Sequence, residues 1–368
     1  MKGRTRWRRA VGAGAVAGVV LFSLTPLGCY LSRAGWEEAK ILRGRKPIGE
    51  LVRNSTVDPV TRGKLALVLD AREFAADSVK LDAGESFTKF TQLERDTLVL
   101  VLAAAYRDKL ERYTWWFPIV GRVPYKGFFD FAAARRAAAD LERKGFDVTL
   151  RPSSAFSTLG WFNDPLLSTT LGADSVDLVN TVIHELTHNT FYAPGQAVFN
   201  ESFANFVGAR GATWFFASRG DTLSAAASDA RWEDEKILGA FYDTLYHTLD
   251  SAFKANPASV EARLGARNSI YTAARAALIR DVAGKLKTIP LRAVERIRLD
   301  NATLLARRIY LTDLELFDAV YEGENRDVRR AIARIITIAK TSPKDPSAGL
   351  RAWVKQEPGS RNQEQGGI

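Results

Sequence analysis

Asn180-Thr181-Val182-Ile183-His184-Glu185-Leu186-Thr187-His188-Asn189 lies between two pieces of helix punctuation, Asp174 ahead of it as a candidate N-cap and Pro194-Gly195 behind it as a terminator. That bracket predicts a helix. Side chains four apart on a helix project one above the other, so His184 and His188 can reach one cation while Glu185 lies beside it and need not ligate. This is the HExxH spacing that binds zinc. The chain has three histidines, and shuffling a sequence of this composition would give the pattern on the order of once in a thousand tries. Two histidines satisfied by core packing are therefore the weaker account.

A catalytic zinc takes three protein ligands and keeps one position for water. Downstream of Pro194-Gly195, the stretch Phe199-Asn200-Glu201-Ser202-Phe203-Ala204-Asn205-Phe206-Val207-Gly208 reads as a second helix. Phe199, Phe203 and Phe206 mark it as buried, and a glutamate is seldom buried without a partner. A tight turn would fold it back onto the first helix and bring Glu201 opposite the histidines as the third ligand. A ligating histidine normally passes its other ring N–H to an acceptor, and Asn205, one turn beyond Glu201, is a candidate through its amide oxygen. The set implies Zn2+ as cofactor, held by His184, His188 and Glu201, with Glu185 as general base.

Working outward, the N-terminal half alternates in character. Leu65, Leu67, Val68, Leu69, Ala71 and Phe74 recur at mainly helical spacing within 60–80. Leu98-Val99-Leu100-Val101-Leu102 and Tyr113-Thr114-Trp115-Trp116-Phe117 are β-prone, and Gly121, Pro124 and Gly127 punctuate the residues beyond them, which predicts a small sheet over 98–126. A helix over 131–144 stopped by Gly145 and a returning strand over 147–151 complete this half. From Asp174 the pattern is helical nearly to the end, with breaks near Pro194-Gly195, Arg219-Gly220, Asn256-Pro257, Ile289-Pro290 and Ser342-Pro343. The fold class is α+β, mainly α: a small sheet in the N-terminal half, the metal helices, then a helical C-terminal half.

The formal charge of +10 over 368 residues invites a nucleic-acid reading. Five of the 52 basic residues, Lys2, Arg4, Arg6, Arg8 and Arg9, precede the first apolar run, and the remaining 47 face 42 acids interleaved along the chain. That is a solvated surface and not a phosphate-binding stripe, so no nucleic-acid partner is expected. The basic cluster followed by the apolar stretch from Ala10 to Leu24 has the form of an export signal. It ends at Thr25-Pro26-Leu27-Gly28-Cys29, where Cys29 is the one cysteine, which excludes an internal disulfide. A lone cysteine in this position resembles a bacterial lipobox, with Cys29 as the lipidation site; a signal anchor or an ordinary cleaved signal are the alternatives. The expected organisation is a signal over 1–28, a membrane-proximal tether over 29–58, a peptidase domain over 59–354 and a disordered tail over 355–368, in a protein exported to the bacterial cell envelope and anchored at the membrane by its N-terminus.

HExxH followed by the helix of Asn200-Glu201 and Ala204 resembles the gluzincin peptidases. Further stretches narrow the resemblance: Cys29, Arg45-Lys46-Pro47-Ile48, the run from Trp116 through Pro118, Gly121 and Pro124 to Gly127, and Thr158-Leu159-Gly160-Trp161-Phe162-Asn163-Asp164-Pro165-Leu166. With the two helices they are similar to the bacterial predicted-aminopeptidase family of exported zinc proteins, over about 29–302. The resemblance implies a zincin-like fold, a peptide substrate and aminopeptidase activity. An endopeptidase with the same site, or a non-catalytic zinc-binding envelope lipoprotein, are the competing readings.

The tetrahedral oxyanion of peptide hydrolysis needs a donor besides the metal. His247, Tyr125, Tyr192, Tyr242 and Tyr310 could supply one, and each reads equally as a structural residue. Peptides in such sites pair with an exposed strand edge, for which Tyr125-Lys126-Gly127 and the loop 158–166 are candidates. Tyr125, Gly127 and Tyr310 are thus candidate substrate contacts, and Asp164 could hold the free α-amino group.

Overall fold

The computed structural model describes residues 26–117, 121–153 and 165–356. The apolar run 10–24, the loop residues 158–164 including Asp164, and the tail from 357 onward lie outside them.

Helices α1 (Pro26–Arg43), α2 (Ile48–Arg53) and α3 (Pro59–Phe74) open the described chain. Asp58 caps α3 by accepting from the Thr61 N–H, with Pro59 at the first helical position. The segment expected to be a tether is built into the body from Ile41 onward. Ile41 packs with Leu98, Val99, Phe129 and Leu167, and Ile48 is fully buried in the main core. Two buried β-branched side chains cannot be given up to a solvated linker without losing about 2–3 kcal/mol each.

The single sheet expected over 98–126 resolves into separate pieces. A three-stranded sheet has the order β1 (Lys46–Pro47), β2 (Lys89–Thr91), β8 (Leu166–Leu167). The strands β4 (Trp115–Phe117) and β5 (Gly121–Val123) form a hairpin of their own. The central antiparallel sheet has the order β6 (Tyr125–Phe128), β3 (Val99–Ala105), β7 (Asp147–Ser153). Its register pairs Val101 with Gly127 and Arg151, Leu102 with Lys126 and Leu150, and Ala103 with Tyr125 and Thr149.

Side chains alternate across a sheet, so this register defines two faces. One carries Leu102, Ala104, Val148, Leu150 and Phe128 onto Leu141 of helix α4 (Phe131–Arg143). Asp130 caps α4, and Gly145 ends it at φ +85°, a conformation that needs glycine. The other face holds Ala105, Ala103, Val101, Tyr125, Gly127 and Arg151.

The remaining helices are α5 (Ser175–Thr190), α6 (Ala197–Ser218), α7 (Thr222–Ala255), α8 (Val260–Ala277), α9 (Leu291–Glu295), α10 (Asn301–Arg308), α11 (Leu314–Gly323), α12 (Val328–Thr341) and α13 (Pro346–Lys355). The five breaks expected from Pro194-Gly195 to Ser342-Pro343 are present, and the chain breaks further at 296–300, 309–313 and 324–327, where the sequence reading expected continuous helix. The main core is built from Val179, Val182, Ile183 and Leu186 of α5, Phe203, Phe206 and Phe215 of α6, Trp232 and Tyr242 of α7, and Phe317 of α11. Helix α10 lays Ala302 and Leu305 on Ala105, closing one end of the second sheet face. No described helix is long and apolar enough to cross a membrane.

Candidate metal centre

Helix α5 starts where its backbone donors find an acceptor: Asp174 Oδ1 takes the N–H groups of Val176 and Asp177, both at 3.0 Å. Arg231 of α7 grips the same carboxylate at 2.6 and 2.9 Å. That guanidinium, with the two backbone donors, holds the Asp174 carboxyl down to about 2 against the upward push of burial.

Helix α6 approaches α5 at two glycines. A methyl group at Gly208 would stand 2.7 Å from Asn180 Oδ1, and one at Gly211 2.9 Å from Ile183 Cγ2. The connection 191–196 is fixed by Asn200, whose amide accepts from Ala193 N and donates to Ala193 O, each at 2.9 Å. Close approach on one side and a clamped connection on the other leave the next residue, Glu201, little freedom.

Glu201 therefore meets the two histidines. Its carboxylate oxygens lie 3.5 Å from His184 Nε2 and 3.7 Å from His188 Nε2, and the two Nε2 atoms are 3.2 Å apart. The carboxylate contacts are too long for good hydrogen bonds. They match donors arranged about a common point, because ligands at about 2.1 Å on a tetrahedral zinc stand about 3.4 Å from one another. Among the described residues this is the one group of three such side chains that could hold a metal ion. All three are partly open, with side-chain exposures of 12%, 22% and 27% for His184, His188 and Glu201. The donor set fits zinc.

Burial pushes the Glu201 carboxyl up, but the two imidazoles outweigh it and hold the group down at about 2. Burial likewise opposes protonation of His188, while Glu201 and then Glu185 raise its pKa. An ionised Glu201 carboxylate facing two imidazole nitrogens is a donor set that a cation can satisfy. Glu185 is exposed beside the pair.

Of the candidate oxyanion donors, Tyr310 is the one whose phenol responds to both Glu201 and Glu185. Burial raises its phenol, Glu201 and Glu185 raise it further, and Arg151 works against them. Its backbone is held by α6: Asn205 Nδ2 donates to Tyr310 O at 3.1 Å, and Ser202 Oγ accepts from Thr312 N at 3.3 Å. On the opposite side, a methyl group at Gly239 of α7 would collide with Leu311 O at 2.8 Å. This corrects the role expected for Asn205. Its amide donates to a main-chain carbonyl of segment 309–312, which covers that face of α6, and no bond to a histidine ring is present among the described residues.

The other candidates separate. Tyr125 and Gly127 sit on β6, an outer strand of the central sheet, with Tyr125 49% exposed. Tyr242 is sealed in the core at 1% exposure, Tyr192 is exposed in the connection after α5, and His247 pairs with Asp243 on its own helix at 3.5 Å. Cys29 falls in the first turn of α1, and Asp164 lies outside the described residues. The sequence alone did not single out Asn200, Gly208 and Gly211; a glycine pair three apart inside an apolar helix was the available signal of close packing.

The family model described as putative aminopeptidase matches residues 29–350. No curated protein and no solved structure was found to match the chain.

Proposed function

The chain belongs to the putative aminopeptidase family, and from that premise we propose that it is a zinc-dependent aminopeptidase of the bacterial cell envelope, exported by its N-terminal signal and anchored through Cys29. The observation that carries the reading is the convergence of His184, His188 and Glu201 within 3.7 Å of one another, with Glu185 exposed alongside.

When bound there, zinc supplies a Lewis acid for the scissile carbonyl and lowers the pKa of a coordinated water from about 16 to about 7. His184, His188 and Glu201 hold it, Glu201 as an ionised carboxylate. Glu185 accepts the proton of the attacking water and delivers it to the leaving amine. Tyr310, kept a neutral phenol by burial and by the neighbouring carboxylates, donates a hydrogen bond to the oxyanion. The outer strand β6, with Tyr125 and Gly127, offers backbone groups to an extended peptide. A purely structural zinc site has no use for an exposed carboxylate between its histidines, which favours the enzyme over a non-catalytic lipoprotein.

The test combines metal analysis with peptide hydrolysis. Wild type is expected to carry about one zinc per chain and to release N-terminal residues from a mixed peptide library, read by mass spectrometry. Glu185→Gln should keep the zinc and lose at least about 100-fold in rate. Internal cuts would replace the aminopeptidase assignment by an endopeptidase one, and absence of bound zinc in wild type would end the proposal.

A further inference from the structure

Helix α1 (Pro26–Arg43) sorts its residues by helical phase. Arg33, Trp36, Lys40 and Arg43 follow one another at steps of three and four, which places them on one side of the helix. All four are exposed, Trp36 to 56%. Between them, Glu37, Glu38, Ala39, Ile41 and Leu42 are half-buried or buried. Ile41 packs with Leu98, Val99, Phe129 and Leu167, so this other side of α1 is the one set against the body. A cationic helix side is ordinarily a solvated one, but here a large aromatic ring is held outward among the cations, with the Lys40 ammonium 5.9 Å from its centroid. Lys40 also meets Glu37 at 3.4 Å, and Arg33 meets Asp130 at 3.3 Å; solvent screens both pairs and leaves the cations open to a stronger anion. Over 26–46 five basic residues stand against two acids, Glu37 and Glu38, and both acids are half-buried. Position 29 lies one turn before Arg33 on the same stripe, and the apolar run 10–24 directly precedes the helix in sequence. An anchor in this part of the chain, at either place, delivers α1 to a membrane surface.

We propose that the outward side of α1 docks on an anionic phospholipid surface, with the helix lying flat, Trp36 among the headgroups and Arg33, Lys40 and Arg43 on lipid phosphates. The inference rests on the export and anchoring reading for the membrane that α1 meets, and is independent of the peptidase chemistry. At 1.5 Å per residue the stripe from Arg33 to Arg43 is about 15 Å long, enough to span several headgroups. An indole suits that layer because its body is apolar and its N–H is polar. Lysine and arginine beside it add attraction to anionic lipid that falls off within a Debye length, so they act only when the helix lies against the surface. The stripe is thus a second, electrostatic attachment that fixes how the body sits on the membrane.

Full-chain protein is mixed with vesicles of phosphatidylcholine alone or with about one third phosphatidylglycerol. Two quantities are read: flotation at low and high salt, and quenching of tryptophan fluorescence by lipids brominated near the headgroup. Flotation that survives high salt reports the anchor; quenching reports the helix. Wild type should be quenched in the anionic vesicles, and Trp36→Phe should lose that quenching. Neutralising the stripe, with Arg33→Gln, Lys40→Gln and Arg43→Gln combined, should lower it to the level in neutral vesicles. All four positions are exposed, so each variant should keep the circular dichroism and thermal midpoint of wild type. If no flotation survives high salt, the anchoring reading fails. Docking then shows as low-salt flotation with the anionic vesicles alone, weakened about 100-fold by the three neutralisations at about fivefold per cation. Absence of quenching in the anionic vesicles, quenching that persists in Trp36→Phe or in the neutralised stripe, or equal quenching in both kinds of vesicle overturns the proposal.

Discussion

Helix α6 carries two charged centres, Glu201 near its start and Arg210 further along, and they are built on opposite principles. Arg210 donates to Asp318 at 2.7 and 3.1 Å and to Asp229 at 2.7 Å, and it stacks over Trp232 and Tyr321. Asp318 also accepts from Lys236 at 2.7 Å and from the Trp232 indole at 3.0 and 3.1 Å. Every donor there meets an acceptor at bonding length. Around Glu201 two imidazole nitrogens and a carboxylate face one another at 3.2 to 3.7 Å, the carboxylate contacts being too long for good hydrogen bonds. A closed network ties α6 to α7 and α11; the open one keeps its three donor groups at the separations a shared cation would require.

The sharpest break of this contrast is a charge removed from each centre in turn. Glu201→Gln keeps the shape of the side chain and removes the ligand charge. It should lower hydrolysis by at least about 1000-fold and cut bound zinc below stoichiometry, while the metal-free protein still folds. Asp318→Ala should do the reverse, leaving Arg210 and Lys236 without their main partner. Such a loss costs about 3–5 kcal/mol, read by urea denaturation, while the folded protein still binds zinc. If Glu201→Gln melted the protein and Asp318→Ala emptied the metal site, the two centres would have been assigned the wrong way round.

Gly208→Ala tests how the halves communicate. The new methyl group must push on Asn180, whose Oδ1 would be 2.7 Å away, and overpacking of this kind costs about 1–3 kcal/mol. Because the same approach sets Glu201 against the histidines, zinc affinity should fall together with stability. A variant that loses stability alone would show that Asn200 by itself positions Glu201.

Glu235 on α7 belongs to neither type, since among the described residues no hydrogen-bond donor meets it at bonding length. Burial, and then Asp177, push its carboxyl up to about 7, with Arg307 opposing. An acid whose folded pKa exceeds its unfolded value of about 4.5 makes no difference when protonated in both states. It costs stability progressively as pH rises from about 4.5 to 7. Glu235→Gln should therefore gain about 1–2 kcal/mol over wild type at pH 8 and nothing at pH 4. An equal effect at both values would show that the residue acts through packing.

The sequence revealed what is local. HExxH works through residues four apart, Asp174 caps within three residues, and Gly145 and Gly195 break helices because they stand at φ +85° and +77°. Glu201 was legible because its helix is lined by phenylalanines. What needed the structure was set by distant partners. Tyr310 could be named from sequence only as one of several phenols, and its main chain is bonded to Asn205 of α6 from 105 residues away. The burial of Ile41 and Ile48, in a stretch that reads as a tether, depends on strands 40 residues and more away.

The smallest effect tests whether the metal helix needs its own cap. Asp174 is half exposed, so its contacts with Arg231 and with two backbone N–H groups are screened, and Asp174→Ala should cost about 1 kcal/mol. Its folded pKa of about 2 lies below the ordinary aspartate value of 3.8, so this stability is present above about pH 4 and disappears as pH falls toward 2. Wild type and Asp174→Ala should then converge in unfolding free energy at the acid end and differ on the neutral side. The cap sits at the far end of α5 from His188, so zinc content at neutral pH should be the same in both. If the variant loses zinc while folded, the histidine pair depends on the helix as a whole, and the open centre is less independent of its scaffold than the closed one.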